Sequence, residues 1–280
     1  MAIEVFKRKE MKYIMDAERY RHIVDFLQTY MNLDEYNKGN QHYTIANIYY
    51  DTHDNNIIRQ SVAKPKYKEK LRLRAYGVPD MDSNTYLELK KKYRGIVYKR
   101  RVTLPLTDAY DFIRTGKIPE TDNQRYVNVQ VLKELQYSIQ FYKPIPAVYL
   151  AYDRIAYFGK DSSEGGPGRD LRISFDFNVR TRRENTGLEL GDHGEQLLEE
   201  GMYVMEVKSG NLLPRWLLDY FQEHGMRRNS LSKYGTEYKK FLNNQIQAGI
   251  DPSLAYAEAK TPFQPAPEVA VQFQLTPEMA

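Results

Sequence analysis

The chain has 280 residues, a formal net charge of +4, a pI near 8.9 and no cysteine. That length suits one large domain or two small ones with a substantial core, and the lack of cysteine excludes disulfides, thiolate catalysis and cysteine-built zinc sites. The N-terminal stretch Met-Ala-Ile-Glu-Val-Phe-Lys-Arg-Lys-Glu has no apolar run and none follows, so the chain reads as a soluble, cytoplasmic protein with neither signal peptide nor membrane span.

A first strand is predicted over Phe6–Ile14, followed by Asp16 as the N-cap of a helix over Ala17–Tyr30, in which Tyr20, Ile23, Phe26, Leu27 and Tyr30 keep helical spacing. His42–Asp51, rich in β-branched and aromatic residues, reads as a strand, and Asp51–Gln60 as a short polar connection open to helix. Lys68–Tyr76 and Thr85–Lys92 form a predicted hairpin across the turn-rich stretch Gly77–Asn84, and Arg94-Gly95 turns the chain into a strand over Ile96–Leu104. Helices follow over Thr107–Thr115, capped by Thr107, and over Asn123–Tyr142, where Val127, Val131, Leu135 and Ile139 recur every fourth residue.

After a break at Pro144-Ile145-Pro146, the strands Ala147–Phe158 and Asp170–Val179 are joined by the loop 161–168. Its glycines form a connector rather than a P-loop, because no Gly-Lys-Ser/Thr leads into a helix. Gly191–Glu200 reads as a short acidic helix or turn and Met202–Ser209 as the last clear strand. Leu212–His224 and Ser232–Ile246 read as helices, with Pro214 in the first turn of the former. Residues 248–280, rich in Pro and Ala, read as a disordered tail, leaving 1–247 as the folded domain.

Strand side chains alternate between faces, so Lys70, Arg72, Arg74 and Tyr76 share one face and Leu71, Leu73 and Ala75 the other. The division recurs with Glu88, Lys90 and Lys92 against Leu87 and Leu89, and with Arg172, Ser174 and Asp176 against Leu171, Ile173, Phe175 and Phe177. It recurs again with Glu206 and Lys208 against Tyr203, Met205 and Val207, with Lys99 and Arg101 against Tyr98 and Val102, and in the shared parity of Arg8, Glu10 and Lys12.

Such strands either face water over an ordinary core, or close into a tube with the charges inside and helices over the apolar faces. The excess of Lys and Arg favours the tube, since a solvated face mixes signs more evenly. Two like charges ~8 Å apart at an effective dielectric of ~20 repel by roughly 2 kcal/mol, so a cationic bore calls for a polyanion. Lys91, Lys92, Arg100, Arg182 and Arg183 are expected on the outer surface or rim, and Tyr13 and Tyr234 in packing.

The sequence contains no His-Glu-x-x-His, Gly-x-Ser-x-Gly, dinucleotide fingerprint or Walker lysine, and its five histidines lack ligand-like spacing. Cations with a few carboxylates suit phosphoryl transfer, whose transition state is stabilised mainly by positioning and positive charge. Arg grips phosphate oxygens bidentately and Lys acts as a point charge. Glu10, Glu88 and Glu206 are the candidates to hold Mg²⁺ or Mn²⁺; the alternative for Glu88 and Glu206 is a structural ion pair with the cations.

The pieces Arg8-x-Glu10-x-Lys12-Tyr13, Lys70-Leu-Arg72-Leu-Arg74, Glu88-Leu-Lys90, Lys99 in Tyr-Lys-Arg-Arg, Tyr152-Asp-Arg154-x-Ala-Tyr, Leu171-Arg172-Ile-Ser, Glu206-Val-Lys208 and Ser232-Lys233-Tyr234 resemble, in this order, the VTC domain. That domain is the polyphosphate polymerase module of the vacuolar transporter chaperone complex, within the triphosphate tunnel metalloenzyme (CYTH-like) superfamily. The resemblance spans Phe6–Leu242. It implies an α+β fold, an eight-stranded antiparallel β-barrel with helices packed outside, which transfers the γ-phosphate of ATP to a growing polyphosphate chain and releases ADP.

On matching positions the resemblance implies catalytic roles for Lys12, Arg72, Arg74, Lys90, Arg154 and Arg172, and substrate binding by Arg8, Lys70, Lys99, Lys208 and Lys233. It implies metal binding by Glu206, with Glu88 and Glu10 beside it. The superfamily's Glu-x-Glu-x-Lys appears here as Arg8-x-Glu10-x-Lys12, which suits the polymerase branch better than the triphosphatase branch. No SPX or membrane segment is read, which leaves room for a membrane-protein partner; no nucleic acid is expected. A triphosphatase of the same tunnel and a non-catalytic polyphosphate-binding module are the alternative readings.

Overall fold

The computed structural model describes residues 9–63, 65–94, 96–120, 129–161, 168, 170–210 and 212–250. Arg8, the start of the expected first strand, residues 123–128 of the expected long helix and the tail from 251 lie outside the described residues.

In chain order the elements are β1 (Lys9–Met15), α1 (Ala17–Leu27), β2 (Met31–Leu33), β3 (Tyr43–Asp51), α2 (Asn56–Val62), β4 (Tyr67–Tyr76), β5 (Asn84–Tyr93) and β6 (Ile96–Pro105). There follow α3 (Leu106–Thr115), α4 (Val129–Tyr142), β7 (Ile145–Gly159), β8 (Arg172–Arg182), β9 (Glu195–Gln196), β10 (Tyr203–Ser209), α5 (Arg215–Glu223) and α6 (Lys233–Gln247). Eight strands form one path, β1-β10-β8-β7-β3-β4-β5-β6, antiparallel throughout; the short β2 pairs with β7 and β9 with β8.

The sheet curls on itself. β1 and β5 are six places apart in that order, yet Lys90 Nζ lies 3.9 Å from Glu10 Oε2. No ladder joins β1 to β6 among the described residues, so the barrel is an incompletely closed one with a seam between them.

Parity assigns the faces. Leu71, Leu73, Leu87, Leu89, Val102 and Leu104 point to the convex side, where they pack with Phe112 of α3 and Leu132 and Leu135 of α4. Ile173, Phe175, Met205 and Val207 point the same way and meet Ile23 and Leu27 of α1 and Leu217 and Phe221 of α5. These side chains are almost wholly buried, and trimming one such leucine to alanine costs about 2–5 kcal/mol. A third cluster sits on the concave side, where Ile45, Tyr49, Val148, Leu150 and Tyr152 meet Ile58 of α2 and Tyr234 and Tyr238 of α6. Helix α6 thus lies across part of the bore and brings its N-terminus to the charged face.

Local chemistry explains the boundaries. Asp16 caps α1 as expected, its Oδ1 accepting from Arg19 N at 2.8 Å. Asp51, at the end of β3, accepts from the backbone N–H groups of Thr52, Ile57 and Ile58, so a buried carboxylate anchors α2 within the connection that was read as polar and open to helix. Helix α3 begins at Leu106, one residue before the expected cap; Thr107 sits in its first turn and donates to Met81 O at 3.0 Å.

The stretch Gly191–Glu200, expected as a short acidic helix or turn, takes the non-helical form. Glu195–Gln196 instead pairs with Thr181 and Arg180 of β8, and Arg180 takes the backbone oxygen and side chain of Asp192. β7 starts at Ile145, inside the expected proline break, because Pro146 falls at the β3–β7 register irregularity, where its missing N–H costs little.

Candidate functional site

The concave face gathers side chains from all eight main strands and α6. Along β4 it runs Lys68, Lys70, Arg72, Arg74, Tyr76; along β5, in the opposite chain direction, Lys92, Lys90, Glu88, Tyr86. Register sets Arg72 beside Glu88, Lys70 beside Lys90, and Lys90 beside Lys99. The bore therefore has a lysine-rich end, an arginine-rich middle and an aromatic end.

Two acidic centres hold the cations in place. Glu88, with its side chain 1% exposed, takes Arg72 at 2.6 Å, Lys99 at 2.7 Å and Arg101 at 2.5 Å. Burial pushes its carboxyl up, but Arg72, Arg74, Lys99 and Arg101 outweigh this and hold it well below the usual carboxylate range.

Across the bore, Glu206 takes Lys12 and Lys208 at 3.0 Å each, Lys233 at 3.5 Å and Arg154 at 3.6 Å. Next to it Asp176 binds Arg154 through both oxygens, at 2.6 and 2.8 Å, and also accepts from Lys233 Nζ. Burial acts to raise both acids, and these cations override it; Glu206 lies well below the ordinary range. Lys12 is raised, its burial offset by Glu206 and Glu10.

Other donors lack such partners. Lys90, 38% exposed, forms one ion pair among the described residues, with Glu10 at 3.9 Å, and burial together with nearby Arg72 and Lys12 lowers its pKa despite Glu10 and Glu206. Lys70 Nζ donates to Ser232 Oγ at 2.8 Å, and burial with Lys90, Lys68, Lys12 and Arg72 around it pushes it down to about 7. Arg172 reaches Asp34 at 3.3 Å, while its buried Nε finds no acceptor on the described chain. A buried donor without an acceptor is costly, and a phosphate oxygen would satisfy it.

Thus Lys12, Lys70, Arg72, Arg74, Lys90, Lys99, Arg154, Arg172, Lys208, Lys233, Glu10, Glu88 and Glu206 share one face, while Arg8 lies outside the described residues. Lys91 and Arg100 turn outward onto Glu134, Arg183 pairs with Glu237, and Arg182 lies over the Tyr149 ring. Lys92 ends the concave row of β5. Tyr13 and Tyr234 are buried in packing.

Residues not singled out from sequence also enter. Asp176 and Arg101 share the parity of neighbours that were, so the signal was present. Tyr152 stood in the piece that carries Arg154 without a role of its own, and Tyr49 and Asn47 carried no signal; they lie on β7 and β3 and hydrogen-bond Arg74 and Arg72.

Among the described residues no group of three or more acidic or histidine side chains could enclose a metal ion. Glu10 and Glu206, however, lie within 3.3 and 3.0 Å of the same Lys12 ammonium. Two hard oxygen donors side by side fit Mg²⁺ or Mn²⁺, which take one or two carboxylates and complete their shell with phosphate oxygens and water. Glu88 fits less well, because its three cations lie at 2.5–2.7 Å, closer than any cation comes to Glu206.

The sequence matches the VTC domain family over residues 7–242. No curated protein matches it in sequence. Among solved structures, it is similar to a candidate adenylate cyclase from Bacillus halodurans, with 13% identity, TM-score 0.48, and coverage of 83% of this chain and 96% of that one. It is also similar to a candidate adenylyl cyclase from Hippeastrum described as having a dominant triphosphatase activity, with 14% identity, TM-score 0.46, and coverage of 86% and 96%.

Proposed function

The chain belongs to the VTC domain family, and from that premise we propose that it is a metal-dependent polyphosphate polymerase. It moves the γ-phosphoryl group of ATP onto the end of a polyphosphate chain: a terminal phosphate oxygen bonds to the γ-phosphorus, the bond from that phosphorus to the β–γ bridging oxygen breaks, and ADP leaves. The observation that carries this reading is the cationic bore with under-compensated donors. Among the described residues Lys70 meets a hydroxyl rather than an acid, Lys90 reaches Glu10 only at 3.9 Å, and the buried Nε of Arg172 has no acceptor.

In this reading Arg72 and Arg74, braced by Glu88, Tyr49, Asn47 and Tyr152, present planar donors in fixed orientation to the transferring phosphates. Arg154, clamped by Asp176, and Lys12, held by Glu206, supply charge on the facing wall. Lys70, Lys90 and Lys99 hold the chain end at the lysine-rich mouth. Glu206 and Glu10 would hold Mg²⁺ or Mn²⁺, which when bound neutralises phosphate charge and orients phosphate oxygens.

The test is incubation of the full chain with ATP and Mn²⁺. Long polyphosphate with stoichiometric ADP, abolished by chelation, is the expected result. Orthophosphate without polymer would mean a triphosphatase, and tight metal-independent polyphosphate binding without turnover would mean a binding module.

A further inference from the structure

The arginine-rich middle of the bore gives way at one end to tyrosines. Tyr43, Tyr76 and Tyr86 come from the neighbouring strands β3, β4 and β5, all on the concave face, and Tyr36 joins them from the 3-10 turn Glu35–Asn40. Their rings form a continuous series, with centroids 6.4 Å apart for Tyr36–Tyr43, 6.0 Å for Tyr43–Tyr76 and 5.7 Å for Tyr76–Tyr86. Tyr36 is 83% and Tyr76 49% exposed, although large aromatic side chains ordinarily bury their area.

The series joins the charged lining directly. The Arg101 guanidinium lies 4.4 Å over the Tyr86 ring while it also binds Glu88, and Arg74 directly precedes Tyr76 on the same face of β4. Asp34 ties the two regions together from the other side, accepting from Tyr36 N at 3.2 Å and from Arg172 at 3.3 Å.

A flat aromatic group with a polyanionic tail matches this arrangement. We propose that the tyrosine mouth is the platform for the base of a nucleoside triphosphate. The base stacks on the exposed ring of Tyr76, within the set formed with Tyr43 and Tyr86, and the phosphates run inward past Arg74 and Arg101. Base–aromatic stacking is strong and tolerant of base identity, because every base has a π-face. The substrate is thereby oriented, with its base at the tyrosine end and its γ-phosphate toward the lysine end. This inference rests on the triphosphate-binding reading of the bore.

The test compares a non-hydrolysable ATP analogue with inorganic tripolyphosphate, titrated calorimetrically into the full chain without divalent metal. Tyr76→Ala is expected to weaken the analogue about tenfold or more and leave tripolyphosphate within about twofold, and Tyr76→Phe, which keeps the ring, to bind both as the wild type does. Tyr86→Ala serves as a second variant and should act in the same direction. Equal losses for both ligands, or no loss for either, would overturn the platform while leaving the bore a triphosphate site. A wild-type chain that binds neither ligand would overturn the bore reading and the platform with it.

Discussion

Glu88 and Glu206 are both buried glutamates on the concave face, both ringed by cations, and both candidate metal ligands by sequence, yet they are built differently. Glu88 is the sole acid of its centre and meets three cations from the flanking strands β4 and β6 at 2.5–2.7 Å. Glu206 keeps its cations at 3.0–3.6 Å and shares them with two other acids, Glu10 through Lys12 and Asp176 through Arg154 and Lys233. The first is a closed clasp that fixes guanidinium planes. The second is a looser cluster of three acids and four cations, and its longer contacts are where the proposed divalent ion is placed.

The comparison is tested most severely by Glu206→Ala. Removing this acid leaves Lys12, Lys208, Lys233 and Arg154 short of a counter-charge, so turnover should fall by about 100-fold or more and the fold should lose about 3–5 kcal/mol by chemical denaturation. Full activity in that variant would remove the metal assignment.

Lys90→Ala comes next: turnover should drop about 100-fold with a Tm within about 2 °C of wild type, because its ammonium is part-exposed and its partner Glu10 keeps Lys12 at 3.3 Å. A large fall in Tm would show that Lys90 is structural. Glu88→Gln should destabilise the fold and lower turnover about tenfold through misplaced arginines, while leaving Mn²⁺ affinity within about twofold of wild type, measured by titration calorimetry. Loss of Mn²⁺ binding there would make the two centres alike.

Lys70 gives the pH dependence. Its folded-state pKa, about 7, lies below the unfolded value, so its charge destabilises the empty protein below pH 7 and stability rises as pH climbs toward the unfolded value near 10.4. A bound polyanion restores the proton, so polyphosphate binding at pH 8 should take up protons, read as a dependence of calorimetric enthalpy on the buffer's ionisation heat. Lys70→Met should reduce the uptake, leaving the share of Lys99, which burial also pushes down to about 7, and should weaken binding and raise Tm by about 2–4 °C. The smallest effect is expected outside the bore, where Lys91→Ala breaks an outward pair with Glu134 and should change stability by under about 1 kcal/mol and turnover hardly at all.

Several features of this site were legible without coordinates. Alternation along β4, β5, β8 and β10 is a property of the strand backbone with period two, so it assigned lysines, arginines and acids to one face wherever a strand was recognised. The ordered motifs likewise carried the family. Short-range signals failed where tertiary pairing overrode them: Glu195–Gln196 joined β8 as a strand, and Met31–Leu33, too short for a period to show, paired with β7.

What the sequence by itself determined is which charged side chains of the recognised strands share one face. The tertiary structure decided how they combine: that Lys70 meets Ser232, 162 residues away, that Glu10 approaches Lys90 across the seam, and that four tyrosines from separate segments meet at one mouth. Facing direction is local, whereas partners and pKa values depend on curl and register, which bring together positions that no sequence window contains.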